Sequence, residues 1–388
     1  MDLLEYQGKE LLARHGLPVP EGSHAATVEE AVAASDELGY PVAVKAQVLI
    51  GGRGKAGGIK IASDSSEAHE HAGDIIGMDI VGPHGEGPFK VNELWVEAGS
   101  EIEAEYYASV ILDRSAKKLM VMLSRMGGMD VEAIAESDPD ALVKQHVDPL
   151  RGLDPDTANS VVEKAGIPAE SGDQVAAILI KLVEVAQAED ATLIEINPLI
   201  VNSDGEVVAL DSKTTVDDNA LFRHPELKEL SDSHVDDPQE AMAKERGLTY
   251  VKLDGDIGVL GNGAGLCMST LDVVAQAGGS PANFLDAGGG SKAQSIIDAL
   301  EVITSDPKVK AILFNIFGGI TRCDEVAKGI IEATEQTGLD LPLVVRLDGT
   351  NSDQGMALLD EAGFSHLHHE STMLGAARRV VEMARSGD

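Results

Sequence analysis

Two adjoining stretches decide the fold: Val42-Ala-Val-Lys-Ala-Gln-Val48 and Gly51-Gly-Arg-Gly-Lys-Ala-Gly-Gly58. The first sets branched and small residues around Lys45, the pattern of a buried strand that carries one charge out of the core. The second is a loop whose glycine backbone can come close to a phosphate chain, with Arg53 and Lys55 as its cations. A P-loop would need glycine, four residues, then Gly-Lys-Ser/Thr, and this loop does not supply it. Taken alone, the run also fits a plain flexible surface loop.

A lysine-bearing strand followed by a glycine-rich loop suggests a different nucleotide scaffold, the ATP-grasp fold. Upstream, Leu3 to His15 has apolar residues at helical spacing, and Gly16 is placed to stop that helix before Pro18 and Pro20. Thr27 to Leu38 repeats the pattern, with Thr27 as cap and Glu29-Glu30 in the first turn. Downstream, Asn92 to Ala98 reads as a strand carrying Glu97 at its end. Tyr106–Asp113 and Lys117–Ser124 read as a hairpin, with Ser100 and Glu105 bracketing the link to it. A carboxylate at the end of a strand can accept hydrogen bonds from nucleotide amino or ribose groups, and it can equally be a solvated strand end.

The second informative stretch is Thr192-Leu-Ile-Glu-Ile-Asn-Pro-Leu-Ile-Val201, after an amphipathic helix at Gly172–Ala188. Glu195 and Asn197 fall two residues apart, on one face of an otherwise apolar strand. Asn202-Ser-Asp-Gly205 makes the turn, and Glu206 to Asp211 returns as the partner strand. Antiparallel pairing across that turn brings Asn197 towards Asp211. One oxygen from each is the sparse kind of ligand pair that holds magnesium, the remaining positions going to water and nucleotide phosphates. Buried for structure alone, these polar groups would each need hydrogen-bond partners.

From His224 to Glu240 the composition turns charged and polar, and Ser231–Pro238 lacks helical or strand period. The domain boundary is expected there, dividing the chain into 1–236 and 237–388. Beyond it, strand-like runs at Ile257–Leu260, Ala282–Leu285, Ala311–Phe317, Leu343–Leu347 and Phe364–His368 alternate with helical runs. That alternation predicts a doubly wound parallel sheet, hence an α/β chain with an α+β first part. Gly261-Asn-Gly-Ala-Gly265 follows a strand, yet Leu266 stands where a dinucleotide fingerprint requires its last glycine, so NAD binding is rejected. The turns at Asn262 and at Gly318–Thr321 are expected at the carboxyl ends of strands, where such sheets bind ligands. The helix beginning after Thr321 would attract a carboxylate or phosphate, with Arg322 and Asp324 as its caps. His366, His368, His369 and Glu370 are read as a surface strand end, and Trp95 as core.

The chain has 66 acidic against 30 basic residues and a formal net charge of −36. That excess excludes nucleic acid and anionic membranes as expected partners. A hydrophobic content of 43% with clear periodicity argues against disorder. An acidic surface over an ordinary core suits concentrated salt, so a halophilic cytoplasm is expected, with stability falling when salt is removed. No apolar run approaches a membrane span, and the start of the chain has no signal-like core. Cys267 and Cys323 are too isolated for a disulfide framework or a zinc site.

With these pieces in place, the chain resembles the beta subunits of succinyl-CoA synthetases, the succinate–CoA ligases. The segments that carry the resemblance run almost the whole length. They are Glu5-Tyr-Gln, the Gly51–Gly58 loop, Ile194-Glu-Ile-Asn-Pro-Leu199, Asp218-Asn-Ala-Leu-Phe-Arg223, Gly261-Asn-Gly-Ala-Gly265, Asn283-Phe-Leu-Asp286 and Asn315-Ile-Phe-Gly-Gly-Ile-Thr-Arg-Cys-Asp324. The resemblance implies an N-terminal ATP-grasp domain and a C-terminal flavodoxin-like domain. It implies nucleotide contacts at Lys45, Gly52, Arg53, Gly54, Glu97, Ser100 and Glu105, and magnesium at Asn197 and Asp211. It implies a contact from Glu195 to a travelling phosphohistidine, and a succinate carboxylate held by Asn262, Gly319, Ile320 and Thr321. It further implies an alpha-subunit partner that carries the phosphohistidine and the CoA site. Leu49-Ile50, Ser212 and Thr321 depart from the pattern of bacterial members without removing a ligand. A ligase for malate or another small acid, a single-chain ATP-grasp carboxylate–amine ligase, and a non-catalytic nucleotide sensor are the rival readings.

Overall fold

A computed structural model describes residues 1–386 other than 84, 86, 234–236 and 289–292. The chain divides into two compact units, Met1–Lys228 and Glu229–Asp388.

The first unit opens with α1 (Glu5–Arg14), β1 (Gly22–Ala25), α2 (Val28–Leu38), β2 (Val42–Gln47), β3 (Ile59–Ala62) and α3 (Ser65–Ile75). The short pair β4 (Asp79–Ile80) and β5 (Phe89–Lys90) precedes β6 (Glu93–Ala98). An antiparallel sheet in the order β1-β6-β2-β3 results. Every residue of β2 is buried, because both faces of the strand are covered. Val42, Val44 and Ala46 pack with Ala31, Ala34, Ala68 and Ile75 of α2 and α3. The alternate positions, Lys45 and Gln47 among them, meet α1 on the other face. The cap expected at Thr27 is present, its hydroxyl accepting from the Glu30 amide at 3.2 Å.

The second sheet follows: β7 (Ile102–Asp113), β8 (Lys118–Ser124), α4 (Val131–Ser137), β9 (Val143–His146), α5 (Pro155–Lys164), α6 (Ala169–Ala188), β10 (Ala191–Asn202), β11 (Val207–Ala209) and β12 (Lys213–Val216). Its order is β11-β10-β7-β8-β9, with β12 also on β10. The β7–β8 hairpin is as expected but longer, since β7 begins at Ile102. The twenty-residue α6 buries Val175, Ile178, Leu179, Leu182 and Val183 at three- and four-residue spacing, which fixes it on the sheet.

The polar segment around the expected boundary carries two helices that the sequence reading did not name, α7 (Pro225–Ser233) and α8 (Pro238–Glu245), which take in 231–233 and 238 of the stretch read as aperiodic. Both begin with proline in the first turn, where its missing N–H costs nothing. The Asp237 carboxylate caps α8 by accepting from the amides of Gln239 and Glu240 at 2.8 and 3.1 Å. These start signals lie inside a composition that mimics a linker. The compact units part at Lys228/Glu229 rather than at 236/237, a point next to residues 234–236, which lie outside the described residues.

The second unit contains β13 (Thr249–Lys252), β14 (Ile257–Gly261), α9 (Ala264–Gln276), β15 (Asn283–Asp286), α10 (Ala293–Thr304), β16 (Ala311–Gly318), α11 (Cys323–Thr337), β17 (Leu343–Gly349), α12 (Ser352–Ala362), β18 (Leu367–His369) and α13 (Met373–Ser386). The sheet order is β13-β15-β14-β16-β17-β18, parallel except for the antiparallel edge strand β13. Without that edge, the parallel strands run second, first, third, fourth, fifth, the flavodoxin-like doubly wound order. Residues of α10, α11 and α12 bury one face, and Val274 of α9 with Ala376, Val380 and Val381 of α13 bury the other. Both cysteines are free and buried. The last strand starts at Leu367 instead of Phe364, so His366 precedes it. Among the described residues, no helix is long and apolar enough to cross a membrane.

Candidate nucleotide and carboxylate sites

In the first unit, charges collect where α1 covers β2 and β6. Lys45 Nζ donates to Glu5 Oε1 at 3.0 Å and to the Leu210 carbonyl at 3.0 Å, and is paired with Glu97. Lys9, one helical turn after Glu5, donates to Glu5 Oε1 at 2.9 Å and pairs with Glu97. The Trp95 indole donates to Glu97 Oε2 at 3.0 Å. Arg53, from the glycine loop, donates through Nη1 to Glu5 Oε2 at 2.6 Å. Through Nη2 it donates to both oxygens of Asp211, at 2.9 and 3.0 Å. Three cations and three carboxylates thus balance in one cluster, and all but the partly exposed Asp211 are buried.

Burial alone would raise the Glu5 carboxyl, yet Arg53, Lys45 and Lys9 together hold it well below the usual range. Burial opposes the charge on Lys45, but Glu5, Glu97 and Asp211 outweigh it and raise its affinity for the proton. Glu5, Lys45 and Arg53 are therefore ionised at neutral pH. Sequence reasoning found Lys45, Arg53, Glu97 and Asp211 but missed Glu5, Lys9 and Gln47, whose amide lies within 3.4 Å of Glu5. The one available signal was the four-residue spacing of Glu5 and Lys9, which a solvated helix face shares.

The loop is tightly folded. Gly52 has φ 77°, the Gly58 amide donates to the Arg53 carbonyl at 2.9 Å, and the Ala46 amide to the Gly58 carbonyl at 2.7 Å. A Cβ at Gly58 would meet Ile80 Cδ1 at 2.9 Å, Ala46 Cβ at 3.1 Å and the Arg53 carbonyl oxygen at 3.2 Å, so a larger residue closes the loop on β2 only if its neighbours shift. Gly52 and Gly54 are exposed, Arg53 points inward, and the exposed Lys55 pairs with Asp130 at 2.9 Å.

On the second sheet, β10 faces β12 and β11 in one register, Glu195 opposite Lys213 and Leu199 opposite Ala209. Asn197 and Asp211 lie at matching positions between those pairs. Asn197 Oδ1 accepts from the Gly128 amide at 2.8 Å, while its Nδ2 donates to the Met129 carbonyl at 2.9 Å. Gly128 also passes so near Glu105 that a Cβ there would meet the carboxylate at 2.8 Å. The Tyr107 hydroxyl, absent from the sequence reading, donates to Glu195 Oε2 at 3.1 Å. Burial raises the Glu195 carboxyl above its usual value, against the pull of that hydrogen bond and of Lys213. Glu97 is engaged inside the cluster, whereas Glu105 is exposed and Ser100 lies half-buried in the link between the sheets.

In the second unit, Asn262 follows β14 and the Gly318–Thr321 turn follows β16, on either side of the point where strand order reverses. The Asn262 amide bridges them: its Nδ2 donates to the Phe317 carbonyl at 2.8 Å, and the Phe317 amide returns to its Oδ1 at 2.9 Å. Gly319 and Ile320 are exposed and Thr321 is buried. The turn is pinned by Thr350, whose hydroxyl donates to the Gly319 carbonyl at 3.1 Å. Arg322 and Asp324 do not cap α11 as expected. They pair with each other, and Asn351 donates to Asp324 at 3.0 Å. The Arg322 hydrogen bond is the main reason the Asp324 carboxyl is lowered to about 2. Asp286, also missed, accepts from the Gly263 and Gly288 amides at 2.6 and 2.8 Å.

The ATP-grasp domain family matches residues 2–201 and the CoA-ligase family residues 260–380. The chain is 53% identical over 387 residues to a succinate–CoA ligase [ADP-forming] subunit beta from Rubrobacter xylanophilus, covering 100% of each chain. It is 48% identical to the protein of the same name from Natronomonas pharaonis, covering 99% of each. An ATP citrate lyase structure from Methanothrix soehngenii shares the fold, at 20% identity and a TM-score of 0.77 over 99% of both chains. Those full-length identities, on an ATP-grasp unit followed by a flavodoxin-like one, make this chain a ligase that belongs to the family of ADP-forming succinate–CoA ligase beta subunits.

Proposed function

We propose that this chain works with an alpha subunit in the cytoplasm to interconvert ATP, succinate and CoA with ADP, phosphate and succinyl-CoA, a step of the citric acid cycle. The observation that carries the nucleotide half is the convergence of Lys45 and Arg53 on Glu5, with Arg53 also holding Asp211, two residues before Lys213 of the Glu195–Lys213 pair. Lys45 and Arg53 exchange carboxylate partners for nucleotide phosphates, and Gly52 and Gly54 leave their backbone open to the phosphate chain. Glu97, Ser100 and Glu105 serve the base and ribose. Cations fixed before the reaction stabilise phosphoryl transfer without reorganising.

Asn197 and Asp211 would hold magnesium, since each carries a hard oxygen donor and the flanking pairs Glu195–Lys213 and Leu199–Ala209 set the two residues at matching positions; the ion would take the place of Arg53 on Asp211 and of the Gly128 amide on Asn197. When bound, the ion neutralises phosphate charge. The β–γ phosphate bond of ATP breaks as a bond to a histidine of the partner forms, with Glu195 holding that ring. The phosphoryl group then passes to succinate at Asn262 and Gly319–Thr321, and the CoA thiol displaces phosphate from the succinyl phosphate.

The test is to label the natively purified complex with γ-labelled ATP and magnesium in molar KCl. Acid-labile label on the partner chain, discharged by succinate plus CoA, is the expected result. Label on this chain, or none despite carboxylate-dependent ATP turnover, would overturn the relay in favour of direct acyl-phosphate formation. Malate in place of succinate in the same discharge assay separates the closest rival.

A further inference from the structure

Glu195 does not stand alone on β10. In the sheet register it lies directly opposite Ser109 of β7 and Lys213 of β12. Tyr107 precedes Ser109 by two residues, so its side chain leaves β7 on the same face and is a diagonal neighbour of Glu195. Diagonal partners stand about 7–8 Å apart, a gap that an aromatic ring spans. Ser109 is small and fully buried, which leaves room for that reach, and the Tyr107 hydroxyl donates to Glu195 Oε2 at 3.1 Å.

The ring behind that hydroxyl is fixed. Tyr107 is 1% exposed and packs with Met122, Ile134 and Leu142 in an apolar cluster. Glutamate is the opposite case: it has three side-chain torsions, the last of them broad, and Glu195 is only half-buried. Its carboxylate therefore takes its orientation from the tyrosine. Burial first, and then the facing Glu195, raise the pKa of the Tyr107 hydroxyl, so the hydroxyl keeps its proton and serves as the donor. Among the described residues no second hydrogen bond reaches Glu195, and Lys213 acts on it as a nearby charge. Oε2 is committed to the tyrosine, and Oε1 is left to accept from a group supplied by another molecule.

We infer that Tyr107 is the positioning residue for Glu195 in phosphoryl transfer. It fixes the carboxylate so that Oε1 accepts from the ring N–H of the partner's histidine while the other ring nitrogen takes the phosphoryl group. The inference rests on the role of Glu195 proposed above. Tyr107 itself touches neither nucleotide nor histidine, so its effect is confined to the step that Glu195 serves. A carboxylate free to turn aligns the ring in only a fraction of encounters, which lowers the rate and leaves nucleotide affinity as it is.

The test is the rate of label transfer from γ-labelled ATP to the partner chain, followed by rapid quench in the native complex over a range of ATP concentrations. Tyr107→Phe removes the hydroxyl and keeps the ring in its cluster. It should slow transfer about tenfold or more, the worth of a hydrogen bond to a charged group, with the ATP concentration for half-maximal rate unchanged. Discharge of the labelled partner by succinate plus CoA should keep its rate, since that step is assigned to the second unit. In a Glu195→Ala background, adding Tyr107→Phe should slow transfer no further, because the tyrosine acts through the carboxylate. Tyr106→Phe is the control: its hydroxyl lies 3.3 Å from Ser171 Oγ, and its loss should leave transfer at the wild-type rate. Wild-type transfer in Tyr107→Phe beside slow transfer in Glu195→Ala would overturn the positioning role and keep that of Glu195. Wild-type transfer in Glu195→Ala would remove Glu195 from the step, and the positioning role with it. Multiplying effects in the double variant, weakened ATP binding, or equal slowing by Tyr106→Phe would mean that the tyrosine only supports the fold, and would overturn the inference as well.

Discussion

Glu5 shows why single residues in this chain act through their neighbours. Its two oxygens face Lys9, Lys45 and Arg53, so removing its charge leaves three buried cations with two carboxylates. Glu5→Gln should therefore cost about 3–5 kcal/mol of stability, measured by urea unfolding, and a loss under 1 kcal/mol would refute the network's importance. The same pairing sets a pH dependence. Because the folded-state pKa of Glu5 is lowered, its stabilising contribution is complete above the ordinary glutamate value of about 4.3. It is lost as pH falls through the lowered folded value, and Glu5→Gln should flatten that acid limb. Glu195 has the opposite sign. Burial raises its pKa, so its ionised form is tolerated rather than favoured, and Glu195→Gln should leave stability nearly unchanged. Label transfer to the partner should slow by roughly 10²-fold. Wild-type transfer would remove Glu195 from the phosphohistidine step.

At the scale of elements, legibility followed periodicity. Strands β2, β10 and β16 could be read because their apolar runs are long and interrupted by telling polar residues, Lys45, Glu195 and Asn315. The register that sets Asn197 against Asp211 could be read because a four-residue polar turn leaves little choice. The partners Glu5, Lys9 and Tyr107 could not, because a helix-face pair and a strand tyrosine look alike whether solvated or buried. Helices α7 and α8 were hidden by a charged composition, though Asp237-Pro238 was a start signal. Tight approaches between strands were equally invisible. Gly349, at the end of β17, has φ 90°, and a Cβ there would meet the Gly318 carbonyl oxygen at 2.1 Å. Gly349→Ala should cost about 1–3 kcal/mol through overpacking, with further strain from the left-handed backbone. Because Gly318 begins the turn proposed to hold the carboxylate, discharge of the phosphorylated partner by succinate should fall while its phosphorylation by ATP is kept. Loss of both steps together would show that the turn serves folding alone.

Across the whole molecule, the net charge of −36 opposes compaction, while both units keep ordinary apolar cores. Exposed pairs such as Lys55–Asp130 and Lys60–Asp74 contribute little each and are too few to neutralise the acidic excess. Screening must do so. The Debye length shrinks from about 30 Å in 0.01 M salt to about 3 Å in 1 M, so surface repulsion is long-ranged in dilute buffer and nearly local in concentrated salt. The buried Glu5–Lys45–Arg53 cluster, shielded from solvent, changes far less over that range. Melting temperature should therefore rise steeply with KCl, and the rise should persist in Glu5→Gln from a lower starting point. Mild acidification in dilute buffer offers a second check, because it removes surface charge before it reaches the lowered Glu5. Stability at low salt should climb as pH drops from neutral towards the carboxylate range, then fall as the buried cluster takes up protons. A melting temperature that is flat in KCl, or that only declines on acidification, would mean that surface repulsion is not what limits this fold.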